Sequence, residues 1–179
     1  ALAFSNEPTA DFTRPENAAA MRIALDQVRG ELGREYDLVI GGQRIRTAAK
    51  IRSINPANPA ELVGLHQKAG PEHVEPAMQA AVDAFRTWRH TPAQERAAWL
   101  RRVAAVLRRR KFEFNAWLIF EVGKNWAEAE ADTCEAIDFC ELYAQLALEL
   151  DRAAPLIQLP GERGQLRYIP LGVGAVIPP

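Results

Sequence analysis

The stretch Gly172-Val-Gly-Ala-Val-Ile-Pro-Pro179 decides the fold. Its centre, Val173 to Ile177, is small and branched with no polar residue in alternation, the pattern of a strand covered on both faces inside a parallel sheet. A half-exposed strand would alternate instead. A parallel strand needs neighbours and crossover helices, so the stretch predicts an α/β fold. It carries no charge and stops on two prolines, which suggests a chain cut off at the entrance of a larger α/β domain. The loop beyond such a strand is where α/β proteins place ligands, and Ile177, Pro178 and Pro179 occupy it with a rigid backbone.

Working outward, Gln165-Leu-Arg-Tyr-Ile169 alternates as a half-exposed strand should, behind a loop marked by Pro155 and Pro160. A helix is expected from about Trp126 to Leu150, after an interruption at Gly123. Thr91-Pro-Ala-Gln94 reads as a capping signature opening a long helix through Leu100, Val103, Leu107, Phe114, Trp117 and Leu118. Pro71 opens another helix, whose Val74, Met78, Val82, Phe85 and Trp88 should lay an apolar stripe on a core. Glu16 to Arg34 predicts a first helix. Between them, Tyr36 to Thr47 folds back at Gly41-Gly42 as a hairpin, and short strands are expected at Ile51 to Asn55 and Glu61 to His66.

The 179 residues are 48% hydrophobic and carry 22 basic against 23 acidic side chains. That balance supports a packed core and excludes a binder that neutralises a nucleic-acid backbone with surplus Lys and Arg. No run approaches the roughly 18 apolar residues of a membrane span. Nothing at the start resembles a secretory signal, and two cysteines imply no disulfide framework, so an aqueous, reducing compartment and no membrane partner are expected.

Few residues stand out chemically. On the last helix, Ala131, Glu135, Phe139, Leu142 and Leu146 share one stripe, placing an acid where the pattern asks for an apolar side chain. A buried carboxylate needs a partner. An arginine from the basic run Arg108 to Lys111 would serve, or Glu135 faces a pocket and binds a polar or cationic part of a ligand. Glu121 and Lys124 read as a local ion pair or junction caps as readily as ligand contacts. Cys134 and Cys140 lack metal-ligand spacing and fit core positions, while His66, His73 and His90 fit the surface. Gly172-Val-Gly174 is not the spaced glycine fingerprint of a dinucleotide fold.

The order of Ile40-Gly-Gly, Ile54-Asn-Pro, Ala80 to Trp88, Gln94 to Ala98, Glu121-Val-Gly-Lys124 and Pro170 to Pro179 resembles the N-terminal part of the aldehyde dehydrogenase superfamily. Phe4 to Pro8, Glu121 to Ala129 and Asp132 to Phe139 are similar to its 1-pyrroline-5-carboxylate dehydrogenase subgroup, which oxidises L-glutamate γ-semialdehyde in proline breakdown. The resemblance implies an aldehyde dehydrogenase-like fold: helices and hairpins over 1–162, part of an oligomerisation arm over 163–170, and the first strand and nicotinamide-side loop of a Rossmann-like NAD-binding domain over 171–179.

It further implies NAD as cofactor, glutamate semialdehyde as substrate, a cytoplasmic homo-oligomer of at least two chains, and no nucleic-acid partner. Chemistry would run through a cysteine thiohemiacetal, hydride transfer and a glutamate base, with those catalytic groups outside the sequence in hand. Glu135 matches the subgroup's pocket glutamate beside the substrate amino group, and Ile177, Pro178 and Pro179 match the loop at the nicotinamide end. The alternatives are a dehydrogenase for another aldehyde and a non-catalytic binding or assembly module.

Overall fold

The computed structural model describes residues 4–152 and 156–178. Five helices and five strands follow in chain order. Helix α1 (Pro15–Arg29) starts on a proline at its first position, where no backbone N–H is needed. It buries Met21, Ala24 and Val28 on one face, ending earlier than the sequence suggests because Gly30 to Gly33 turns the chain. At Gly33, with φ +79°, the amide donates to the Val63 carbonyl at 2.9 Å and leads into β1 (Arg34–Tyr36).

Strands β2 (Leu38–Ile40) and β3 (Gln43–Ile45) pair antiparallel through Gly41 and Gly42, whose φ values of +56° and +79° explain the two glycines of the expected hairpin. Strands β4 (Lys50–Asn55) and β5 (Asn58–Gln67) form a second hairpin, irregular around Ser53 to Asn55. The three-stranded sheet has the order β1-β5-β4, with β1 parallel to β5 in the register Arg34 to Gly64. Buried Gln67 joins the pieces: its Oε1 accepts from the Thr47 amide and Lys50 Nζ, each at 2.6 Å, and its Nε2 donates to Glu35 at 2.6 Å.

A 3₁₀ turn at Pro71–His73 precedes α2 (Val74–Trp88). The expected core stripe of α2 is not buried: Val74, Met78, Val82 and Trp88 are all exposed. Amphipathic spacing identifies a face that can be covered, not one that is. Helix α3 (Ala93–Arg109) begins after Pro92 with no side-chain cap, so Thr91 does not play its expected role. Its buried residues are all small (Ala93, Ala97, Ala104), which lets it pack closely along α5. The single long helix predicted through Leu118 is two, because Arg110 (φ −106°, ψ 20°) leaves the helical region before α4 (Lys111–Val122). Met21, Ala24 and Val28 pack with Val63, Ala116 and Phe120 in the main core, each large apolar side chain contributing about 1.5–3 kcal/mol.

Gly123 ends α4 in the left-handed region (φ +73°), and Asn125 caps α5 (Trp126–Leu150) by accepting from the Glu128 amide at 2.9 Å. Glu121 and Lys124 do not pair with each other: Glu121 accepts from Ser53 Oγ at 3.0 Å, and Lys124 pairs with Asp132. Residues 156–178 are exposed and form no ladder among the described residues, so the strands expected over 165–169 and 173–177 have no partners here. No helix of the described residues is long and apolar enough to cross a membrane.

Among the described residues one charged side chain lies fully inside. Glu130, 1% exposed, accepts from Lys111 Nζ, Asn115 Nδ2 and the Ala10 amide, each at 2.7 Å. Burial favours its neutral acid, but these donors outweigh burial and hold the carboxyl below its ordinary value. Burial likewise works against the Lys111 ammonium, yet the bond and charge of Glu130 hold its pKa above the ordinary value.

Two stability tests follow from these contacts. In Gly123→Ala, a Cβ would meet Pro56 Cγ at 2.9 Å in a backbone conformation that itself costs roughly 1–2 kcal/mol, so the urea midpoint of the full-length protein should fall accordingly. An unchanged midpoint would refute the packing. Replacing Glu130 by Ala leaves Lys111 without its counter-charge and should cost roughly 3–5 kcal/mol near neutral pH. The sign with pH is fixed by the depressed carboxyl: its contribution is full above the ordinary value of 4.5 and fades as pH falls through the lower folded value. The difference between wild type and Glu130→Ala should therefore shrink in acid, and a difference that grows there would contradict the assigned charge.

Candidate functional site

Helix α5 carries the candidate residue and owes its orientation to its start. The left-handed Gly123 turns the chain out of α4, Asn125 fixes the first turn, and the Lys124–Asp132 pair fastens the next two. From there α5 presents two lines of side chains. The inner line is Ala129, Glu130, Thr133, Cys134, Ile137 and Ala144, all buried. The outer line contains Ala131, Glu135 and Phe139, all exposed, with Leu146 39% exposed.

Glu135 is therefore not the buried acid of this helix; Glu130 is. Both positions sit on apolar lines of the same helix, and spacing alone does not say which line meets α3 and α4. A usable signal was present in Lys111 and Asn115, one turn apart on the neighbouring helix, which supply a cation and an amide to whichever acid faces them. The basic run divides its partners accordingly: Arg108 bonds Glu7 at 2.7 Å and Glu141 at 2.8 Å, Arg110 bonds Glu113, and Lys111 takes Glu130. Among the described residues none of these cations pairs with Glu135. Its carboxylate faces outward, an acceptor available to a cationic ligand.

The cysteines behave as core residues. Cys134 is buried and free, and burial followed by the nearby Glu130 charge pushes its thiol up to about 11. Cys140, half-buried, is raised by burial and by Glu141. A thiol held protonated is a poor nucleophile, so neither suits covalent catalysis. Two of the histidines are less exposed than expected: His73 Nδ1 accepts from the Gly70 amide at 3.0 Å, and His66 stacks on Tyr36 with centroids 5.2 Å apart. The described residues contain no cluster of His, Cys, Asp and Glu able to hold a metal ion.

Ile177 and Pro178 lie on an extended, exposed segment, Ile177 at 89%, and Pro179 lies outside the described residues. Nothing comes within 4 Å of where a Cβ would stand at Gly172 or Gly174, so the backbone there is open to close approach. Such a strip offers shape and main-chain groups but no polar side chain. It does not hold a dinucleotide alone, because phosphate and ribose need polar donors as well.

Comparison with known proteins converges on one group. The model of the aldehyde dehydrogenase family matches residues 45–179. The 1-pyrroline-5-carboxylate dehydrogenase of Geobacillus thermodenitrificans is 52% identical over 98% of this chain and 34% of its own length, and 1-pyrroline-5-carboxylate dehydrogenase 2 of Bacillus subtilis is 51% identical with the same coverage. The chain thus spans about a third of the length of these relatives. Among solved structures, 1-pyrroline-5-carboxylate dehydrogenase from Thermus with bound NAD superposes with a TM-score of 0.89 at 45% identity, over 96% of this chain and 33% of that one. The enzyme from Mycobacterium tuberculosis does so at 0.83 and 28% identity, over 93% and 31%. The α/β arrangement of helices and short strands is that of these enzymes, and with a family match over most of its length the chain belongs to the aldehyde dehydrogenase family.

Proposed function

We propose that this chain is the N-terminal section of an NAD-dependent dehydrogenase that oxidises L-glutamate γ-semialdehyde to L-glutamate in proline catabolism. The observation that carries the proposal is the similarity to 1-pyrroline-5-carboxylate dehydrogenases, which runs through 98% of the chain at about half identity and includes α5 with Glu135. The same similarity supports NAD as cofactor, since the Thermus relative binds it. In this reading residues 1–162 pack beside the cofactor-binding domain, and 163–170 belong to an arm that pairs with a second copy. Residues 171–179 open the NAD-binding sheet. The exposed Leu166, Tyr168 and Ile169 support the arm, because apolar side chains on an unpaired segment seek a neighbouring edge. A cytoplasmic location completes the proposal.

The covalent step is assigned to a cysteine thiolate beyond this sequence, which adds to the aldehyde carbon to give a thiohemiacetal. Bound NAD would supply the hydride acceptor for that carbon; the thioester left on the cysteine would be hydrolysed by water activated by a glutamate, releasing the acid and the thiol. Ile177 and Pro178 contribute a rigid wall. Glu135 recognises the substrate α-ammonium. At the open surface such a pair gives at most about 1 kcal/mol, whereas in a site closed by the remaining protein a charge-assisted hydrogen bond gives about 1.5–3 kcal/mol. Glu135 therefore acts as a specificity group only where the rest of the enzyme excludes water.

In the full-length enzyme, Glu135→Gln should lower kcat/KM for glutamate semialdehyde by about tenfold or more while leaving a similar-sized aldehyde without the amino group nearly unaffected. Steady-state rates on both aldehydes supply the comparison. An unchanged ratio would remove Glu135 from the site.

A further inference from the structure

The N-terminal segment Asn6 to Ala10 belongs to no helix or strand, and its main chain is held by charged side chains. The Glu7 amide donates to Asp138 Oδ1 at 2.7 Å and the Ala10 amide to Glu130 Oε1 at 2.7 Å. The carbonyl of Pro8 accepts from Lys111 Nζ at 3.2 Å, while Asn6 Nδ2 donates to Asp138 Oδ2 at 2.7 Å. A separate anchor follows: Phe12 sits in the core against Phe112 and Trp126, with centroids 6.2 and 5.3 Å away. Between strap and anchor, Asp11 caps a tight turn by accepting from Thr13 N and Oγ1.

We propose that the Lys111–Glu130 pair is a latch that closes residues 6–10 as a strap over α4 and α5, and that the strap opens about the Asp11 turn as a unit while the core below stays folded. Two observations favour local opening over global unfolding. The strap contributes little apolar surface, since Pro8 and Thr9 are exposed, so its closure rests on polar bonds that water can replace. The interior beside the latch is also incompletely satisfied, because Asn115 Oδ1 and Thr133 Oγ1 are buried without partners. Water admitted by opening would bond both and lower the cost of the open state. Cys134 reports the event, lying 3.8 Å from the Pro8 carbonyl, with Cys140 farther along the same helix as a reference.

The test is iodoacetamide labelling of the native full-length protein, with Cys134 and Cys140 followed separately by peptide mass, together with hydrogen exchange at the Ala10 amide. Asp138→Ala is the decisive variant, because it removes two strap bonds without touching Cys134 or leaving a buried charge unpaired. The expected result is a rise of about threefold or more in the Cys134 to Cys140 labelling ratio, with faster exchange at Ala10 and an unchanged near-ultraviolet spectrum. Glu130→Gln should raise the ratio further, by about tenfold, although part of that rise comes from removing a charge beside the thiol. A wild-type ratio and wild-type Ala10 exchange in Asp138→Ala would overturn opening of the strap as a unit, a Glu130→Gln protein labelled no more than Asp138→Ala would overturn the Lys111–Glu130 pair as its latch, and a parallel rise at both cysteines would mean that α5 moves rather than the strap. Should Glu130→Gln fail to fold, Asp138→Ala alone decides.

Discussion

A carboxylate with almost no access to water persists only when donors replace its lost hydration, and Glu130 has a cation, an amide side chain, a backbone N–H and the Cys134 thiol. Its donors come from three places in the sequence. Lys111 and Asn115 lie on one helix, Glu130 on the next, and Ala10 lies 120 residues upstream of the acid. The pair therefore does more than offset its own desolvation. It closes a loop of 120 residues and, together with the Asn6 and Glu7 bonds to Asp138, fixes how the N-terminal segment lies across α4 and α5. An apolar residue at 130 would have nothing to offer the Ala10 amide or Lys111.

The same interaction explains the outward direction of Glu135. With Glu130 and Cys134 committed to α4 and the strap, the line carrying Glu135 and Phe139 is rotated away by the helical period. One helix thus divides two acids between two tasks. The inner acid is neutralised and structural, while the outer one keeps a free carboxylate. In the sequence both have apolar neighbours at four residues, but at three Glu135 has Asp132 and Asp138 where Glu130 has Ala127 and Thr133, a polar flank that marks Glu135 as the outer acid. What local pattern leaves out is the partners of the inner acid, since Lys111 and Asn115 reach Glu130 only through the α4–α5 contact.

Elsewhere legibility followed the range of the cause. Gly41-Gly42, Gly123 and Asn125 act through their own backbone torsions or the next turn, and the hairpin, the helix stop and the start of α5 stand where those residues put them. The break at Arg110 had no comparable mark, because arginine is a good helix former and the chain leaves the helix there to let α4 pack on α1 while α3 packs on α5. The parallel pairing of β1 with β5 was equally hidden: Arg34 to Tyr36 is three residues long and polar at two of them, so its place beside Gly64 to His66 is set by the Gly33 to Val63 hydrogen bond and not by hydrophobic alternation.

The exposed apolar surfaces fall on one side of this division as well. The α2 stripe and the branched run Val173 to Ile177 have patterns that require burial, and both are open among the described residues. Pattern specifies what a segment can bury, whereas burial itself requires a second surface, and this chain spans about a third of the length of its relatives. The run that identifies the fold is thus the part whose structure depends most on other segments. Helix α5, with its cap, its ion pair and its internal acid all contributed by residues 6–138, needs none of them to set the direction in which Glu135 points.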